Sequence, residues 1–274
     1  MFQNMIFQTL ILPLTILFVA ILTALVYQER HVTNTELIAE FSANLRNWHG
    51  KGEYFIYKNV HKIFYVHESL NIHSDTSANK PADENIDTSS TTIVLLHGFP
   101  TSSYDYFKIW NLFKNLEKSI GESQLKINSK YTSLLTFDYL GYGFSDKPSS
   151  DYEYSIFDMA DMLDKLLMHL NLNRVVLIAH DVSDTVVEEI LRRDSLNNQN
   201  HYSIEKCILL NGGIFIDIYQ PVLSQKILRT KPLNNFFAKY LFKFFIFKQT
   251  FNKIFGNLNP PNSTELYDFF LSIK

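Results

Sequence analysis

Between Val175 and Asp184 the chain reads VVLIAHDVSD: an apolar run, then Ala179, His180, Asp181, Val182 and Ser183, with a helical pattern beginning at once. A strand that ends in small-x-acid-x-small and turns directly into a helix has the spacing of a nucleophile elbow. The small residues let strand and helix approach across a tight turn, and the side chain at the tip projects beyond the end of the sheet. Here that side chain is the carboxylate of Asp181, at the place a nucleophile takes in such an elbow. The first turn of the following helix favours negative charge at that point. A second reading fits the segment equally well: Asp is a favoured N-cap, so Asp181 could simply close the helix end. Ser183, two residues past the tip, would point into the helix and is badly placed to be a nucleophile.

Chemistry of this kind needs a sheet to present the turn, and the sequence supplies one. EYFIYK (53–58) and KIFYVHE (62–68) alternate apolar and polar residues around Asn59–His61, a hairpin signal. TIVLLHG (92–98), SLLTFDYLG (133–141), RVVLIAH (174–180) and EKCILLNGG (205–213) are continuous apolar runs, as expected of strands buried on both faces. Helical patterns lie between them, around Asp105–Ile120, over 155–172 and over Thr185–Arg193. Buried strands alternating with helices predict an α/β fold, a mostly parallel sheet with helices on both faces. Two loops at strand ends add to the elbow: HGFPTSSYDYFKIW (97–110) and DYLGYGFSDKP (138–148). In the second, Gly141 and Gly143 suit a sharp turn with positive φ. The polar stretch SDTSANKPADENIDTSST (74–91) reads as an inserted loop.

The remaining features bound the function. Residues Met5–Tyr27 carry no charge over 23 positions, long enough to cross a bilayer, and Glu29 is the first charged residue of the chain. Pro13 inside the run is tolerated in a membrane helix. A cleavable signal peptide fits less well, because no Lys or Arg precedes the run and no small-x-small site follows it. The 25 basic and 28 acidic residues give a net charge of −3, with no basic excess to neutralise a phosphate backbone, so nucleic acid is not an expected partner. One cysteine, Cys207, excludes an internal disulfide and a Cys-rich zinc site. The nine histidines are scattered singly, without a metal-binding spacing on one helix face, and no metal or cofactor is expected.

Taken together, HGFPTSSYDY, FDYLGYGFSDKP, YSIFDMA, the AHDVSD elbow, LNGGIF (210–215) and QPVLSQKILR resemble the α/β-hydrolase superfamily, in its epoxide hydrolase and haloalkane dehalogenase branch. The resemblance covers roughly residues 50 to 274. It implies that Asp181 is a nucleophile that displaces halide or opens an epoxide, and that the N–H groups of Phe99 and Val182 hold the oxyanion when the ester is hydrolysed. It implies structural roles in the loops for His97, Gly98, Pro100 and His180, with Asp146 fixing its own loop and Asp184 acting as a first-turn helix acid. The family elbow has glycine where this chain has Ser183. The family also activates water with a His after its last strand and an acid after the penultimate one, and neither strand is found before Lys274. No upstream His has the right topology, and Asn211-Gly212-Gly213 occupy the place of an alternative acid.

The resulting division is a transmembrane signal anchor (1–28), a linker (29–49), an α/β-hydrolase core with the first six strands (50–215), and an incomplete helical cap (216–274), the chain stopping inside the cap. Tyr219, Tyr240 and Tyr267 of the cap are candidates to bind an epoxide oxygen. The expected partners are a hydrophobic small molecule and, through the N-terminal helix, a membrane, which the resemblance implies is that of the endoplasmic reticulum. No protein partner is specified. Two functional readings stay open: a membrane-anchored hydrolase with an Asp nucleophile, and an inactive protein or fragment that keeps the fold for interaction.

Overall fold

The computed structural model describes residues 34–70, 90–114, 131–148, 152–196, 201–213, 244–256 and 258–274. The segment expected to span a membrane, Tyr219, Tyr240 and the inserted loop over 74–89 lie outside these residues. No helix among the described residues is long and apolar enough to cross a membrane. The chain divides into two units, 1–40 with 220–266, and 41–219 with 267–274.

The larger unit opens with helix α2 (Ala43–Lys51), inside the stretch read as a linker. Ser42 caps it, its side chain accepting the N–H groups of Asn44 (3.1 Å) and Leu45 (3.3 Å). Leu45 and Trp48 are buried, which is why these residues are ordered against the core rather than left as a tether.

A six-stranded sheet follows, in the order β1-β2-β4-β3-β5-β6. β1 (Glu53–Tyr57) and β2 (His61–Ser69) form the hairpin, with Tyr57 opposite His61. Lys58 and Asn59 both have positive φ and the Val60 N–H returns to the Tyr57 carbonyl, a turn whose twist matches that of the strands it joins. β2 runs antiparallel to β4 (Tyr131–Phe137), and β4, β3 (Thr91–Leu96), β5 (Arg174–His180) and β6 (Ser203–Leu210) are mutually parallel. The sheet is therefore mostly parallel, as the apolar runs predict.

Every residue of β3 is buried, so both faces of the sheet are covered. Side-chain alternation divides the core. Val94, Leu96, Leu135, Phe137, Val175, Leu177 and Ala179 face α4 (Ile156–His169) and α5 (Val182–Ser195), from which Leu163, Leu166, Val186 and Ile190 complete one apolar cluster. Each of these side chains other than Ala179 contributes about 1.5–3 kcal/mol by leaving water. Ile93, Leu95 and Leu134 point the other way and are equally buried. Trp48 meets Trp110 of α3 (Phe107–Lys114) edge to face, with ring centroids 5.2 Å apart.

β6 departs from the expectation. It was expected to be buried on both faces, yet its residues alternate between half-buried and exposed, with Ile208 and Leu210 more than 40% exposed. Among the described residues it pairs with β5 alone, so it stands at the edge of the sheet.

The last helix, α7 (Ser263–Ser272), begins with a reciprocal cap: the Glu265 N–H donates to Asn262 Oδ1 (2.9 Å) and the Asn262 N–H to Glu265 Oε2 (3.0 Å). Residues from Tyr267 onward belong to the larger unit. There the Asp268 carboxylate accepts the Ser42 hydroxyl (2.5 Å) and the Tyr104 hydroxyl (3.2 Å), while Ser102 and Ser272 hydroxyls lie 3.2 Å apart. The smaller unit has α1 (Asn34–Ala39) and α6 (Phe244–Phe251), the latter with Phe247 and Phe251 stacked at 4.5 Å.

Candidate active site

β5 ends at His180 and α5 starts at Val182, so Asp181 is the whole of the turn between them. Its backbone sits at φ 55°, ψ −116°, a conformation that costs a residue with a Cβ on the order of 1–3 kcal/mol and persists only where its surroundings impose it. The turn is held on both sides: the Asp181 N–H donates to the Leu210 carbonyl, and the Asp184 N–H to that of Asp181, both at 3.1 Å. The two readings of Asp181 in the sequence now separate, because its side chain makes no capping bond to α5. Instead Oδ2 accepts the N–H of Phe99 at 2.9 Å.

That contact joins the elbow to the loop after β3. Gly98 makes the approach possible: a Cβ there would lie 2.7 Å from His180 Nδ1 and 2.8 Å from the Cβ of Asp181, closer than real Cβ contacts allow. Phe99 and Pro100, joined by a cis peptide bond, carry the loop over the tip. Of the two N–H groups assigned to the oxyanion, that of Phe99 faces Asp181. That of Val182 is the first of α5, one of the helix-end N–H groups that have no intrahelical acceptor.

His97 is fully buried and its ring is used twice. Nε2 accepts the Tyr139 N–H (3.3 Å), which leaves the proton on Nδ1 to bond the Gly98 carbonyl at 2.9 Å. Burial holds its pKa below the ordinary value, so the ring is a neutral strut between two loops. Ser183, where the family has glycine, is fully buried and its hydroxyl donates to the His97 carbonyl (2.6 Å), with Tyr139 Oη 3.1 Å away. The extra side chain therefore ties the elbow to β3. Asp184 accepts the N–H groups of Leu210 (3.3 Å) and Gly212 (2.8 Å), fixing the start of α5 to the end of β6. Burial nonetheless raises its pKa.

The loop after β4 is built the same way. Asp146 Oδ2 accepts the Lys62 N–H (2.7 Å), the loop-fixing role expected of it. Asp138, which local sequence did not single out, is fully buried and spans two loops, its Oδ1 accepting the Ser103 N–H and its Oδ2 the Phe144 N–H, each at 2.7 Å. Gly143 has φ +50°, and a Cβ on it would lie 1.9 Å from Asp138 Oδ2. Between the positive-φ Gly141 and Gly143, Tyr142 extends a ring against His97 (5.2 Å) and edge-on to Phe99 (6.3 Å). Burial, then the nearby Asp181 charge, push its phenol up to about 12, so it is neutral and able to donate. Tyr142 is a wall of the site that the sequence reading missed; its signal is the Gly-Tyr-Gly turn.

Tyr267 is half-buried on α7 with its ring 6.4 Å from that of Phe270, and no hydrogen bond or ring contact joins it to Asp181 among the described residues. No histidine is hydrogen-bonded to Asp181 among those residues, and no group of three or more His, Cys, Asp or Glu could hold a metal ion.

Comparison with known proteins gives the same picture. The family described as "alpha/beta hydrolase fold" matches residues 91–182, from β3 through the elbow. Over 237 residues, 86% of this chain, the sequence is 34% identical to the mesoderm-specific transcript homolog protein of Bos taurus and 33% identical to the mesoderm-specific transcript protein of Mus musculus. The chain spans 62% of the length of these relatives. Among solved structures, the haloalkane dehalogenase DatA of Agrobacterium tumefaciens superposes with a TM-score of 0.53 at 20% identity, over 80% of this chain and 61% of that one, a likeness of fold. With that sheet order, the elbow and the matched segment in agreement, the chain has the α/β-hydrolase fold and is similar to the mesoderm-specific transcript proteins.

Proposed function

We propose that the chain is a hydrolase in which Asp181 attacks a carbon of a hydrophobic small molecule, such as an epoxide, an alkyl halide or a lipid ester. The observation that carries the reading is the strained turn at Asp181 with Oδ2 held by the Phe99 N–H. One carboxylate oxygen is thereby fixed, and Oδ1 is the oxygen assigned to attack. With an epoxide, a new Oδ1–C bond forms as the ring C–O bond breaks, and the alkoxide takes a proton from water. With an alkyl halide, the C–X bond breaks and halide leaves. The product in either case is an Asp181 ester. When water then adds to the ester carbonyl, Oδ2 becomes the oxyanion, and the N–H groups of Phe99 and Val182 together with the α5 N-terminus stabilise it. Removing one such donor costs about 100- to 1,000-fold in rate in comparable sites.

The apolar run over 5–27 supports attachment to a membrane, of the endoplasmic reticulum on the resemblance, which suits a substrate that partitions into lipid. The test is intact-mass measurement of the full-length chain after incubation with a lipophilic aryl epoxide. The reading requires addition of one epoxide mass to the wild type and none to Asp181→Asn. A wild type that neither gains the mass nor releases the diol removes the hydrolase reading, and the fold is then kept for interaction.

A further inference from the structure

Asp105 takes no part in the reaction as read above, yet it is a half-buried acid directly against the oxyanion turn. It belongs to the 3-10 turn Ser103–Tyr106, which follows the loop carrying Phe99. Its carboxyl is in hydrogen-bond contact with the Thr101 hydroxyl. Thr101 also closes the loop on itself, its N–H reaching the Gly98 carbonyl at 3.1 Å and its hydroxyl the same carbonyl at 3.2 Å. The Gly98 carbonyl, in the peptide group before Phe99, is thus held by Thr101 together with His97 Nδ1, and Thr101 in turn by Asp105.

The Thr101 hydroxyl has one proton and two acceptors in reach, the Asp105 carboxylate and the Gly98 carbonyl. Ionised Asp105 takes that proton. Protonated Asp105 donates its own proton to Thr101 Oγ1, and the Thr101 proton turns to the Gly98 carbonyl, whose carbon is bonded to the Phe99 nitrogen. No atom is gained or lost beyond the single proton exchanged with solvent. The two states differ in what the Gly98–Phe99 peptide group feels, and that group presents its N–H to Asp181 Oδ2.

We infer that Asp105 is a positioning residue whose ionisation sets the hydrogen bonding of the Gly98–Thr101 turn and, through it, the aim of the Phe99 N–H at Asp181. The exchange falls in an accessible range: burial, partly opposed by the Thr101 hydrogen bond, raises the Asp105 pKa to about 7. The charged groups that face it are Asp138 at the end of β4 and Asp181 at the elbow, both of which push it further up. The Tyr106 phenol beside it is held above its ordinary range by burial and stays neutral. The link to catalysis rests on Asp181 being the nucleophile; the response of the turn does not.

The test separates the two. In the full-length chain labelled with 15N-glycine there are nine glycine amides, and 13C-carbonyl labelling of histidine selects the two that follow His, Gly50 and Gly98. The Gly98 amide is followed from about pH 5.5 to about pH 8.5, a window centred on the Asp105 transition. A single inflection near neutrality is expected, abolished by Asp105→Asn and retained in Asp181→Asn. No inflection in the wild type, or one that survives Asp105→Asn, overturns the inference whether or not the chain reacts with an epoxide. A second readout is the rate of ester formation at Asp181, which should follow the same inflection in the wild type and lose it in Asp105→Asn. An unchanged profile in that variant also overturns the inference. Absence of any ester, with the Gly98 inflection intact and lost in Asp105→Asn, leaves the positioning role standing and removes only the hydrolase reading.

Discussion

Replacing Ser183 by glycine, the residue the family pattern prefers at this place, should weaken the protein rather than restore an ideal elbow. The Ser183 hydroxyl donates to the His97 carbonyl at 2.6 Å and lies 3.1 Å from Tyr139 Oη, all three fully buried. Without it, a buried carbonyl and a buried phenol each lose a partner. A buried polar group left unsatisfied costs about 1–3 kcal/mol, so the two together cost about 2–6 kcal/mol. Ser183→Ala isolates this loss from backbone effects, while glycine in the first helical turn adds roughly 0.5 kcal/mol more. In urea unfolding followed by circular dichroism, with m on the order of 2–3 kcal/mol/M, the midpoint should fall by about 1–2 M in either variant. A cycle with Tyr139→Phe sharpens the test. Removing the phenol as well removes one of the two orphans, so Ser183→Ala should cost less in the Tyr139→Phe background than in the wild type, by about 1 kcal/mol. A Ser183→Gly protein with an equal or higher midpoint, or a cycle that is strictly additive, would refute the claim that this serine ties elbow and β3 together.

Other consequences follow from the same geometry. Gly98→Ala forces a Cβ to within 2.7 Å of His180 Nδ1, so the loop must back away from the elbow; overpacking of this kind costs about 1–3 kcal/mol, and ester formation with an epoxide, timed by intact mass, should slow by at least about tenfold. Asp138→Ala leaves the N–H groups of Ser103 and Phe144 without their acceptor; a loss of about 2–5 kcal/mol is expected, read as a urea midpoint shift, whereas Asp138→Asn, which keeps one acceptor oxygen, should lose less. The raised Asp105 pKa has a sign that can be checked. An acid whose folded pKa lies above its unfolded value gives stability that is complete below the unfolded pKa and lost as pH rises through the folded one. Between pH 5 and 8 the wild type should therefore lose roughly 2–3 kcal/mol relative to Asp105→Asn, about two pH units at about 1.36 kcal/mol each, and a difference independent of pH would contradict the burial of that carboxyl.

Much of the fold was legible because its signals are local. Continuous apolar runs at 92–96, 133–137 and 174–180 became the parallel centre of the sheet, and alternation at 53–68 became the hairpin. The elbow was legible as a shape, but whether Asp181 capped the helix or left it free could not be read from spacing. That distinction lives in a φ of 55° and in which N–H the carboxylate meets, and the N–H belongs to Phe99, 82 positions away. The same reason hid Asp138 and Tyr142, whose partners come from other loops. β6 misled because an apolar run looks the same in an edge strand as in a central one; its neighbours, not its composition, decide its burial. Ser183 read only as a departure from the family pattern, because a lone departure from a motif shows what is lost and not the carbonyl that its hydroxyl reaches.

The central claim is that the Asp181 carboxylate is the atom group that reacts, and peptide mapping of the adduct tests it most directly. After reaction with a lipophilic aryl epoxide, trypsin should release the segment between Arg174 and Arg192 carrying one epoxide mass, with fragmentation placing an ester on Asp181. Modification at Cys207 or Asp184, or an unmodified segment in a protein that has taken up the reagent, would contradict the account.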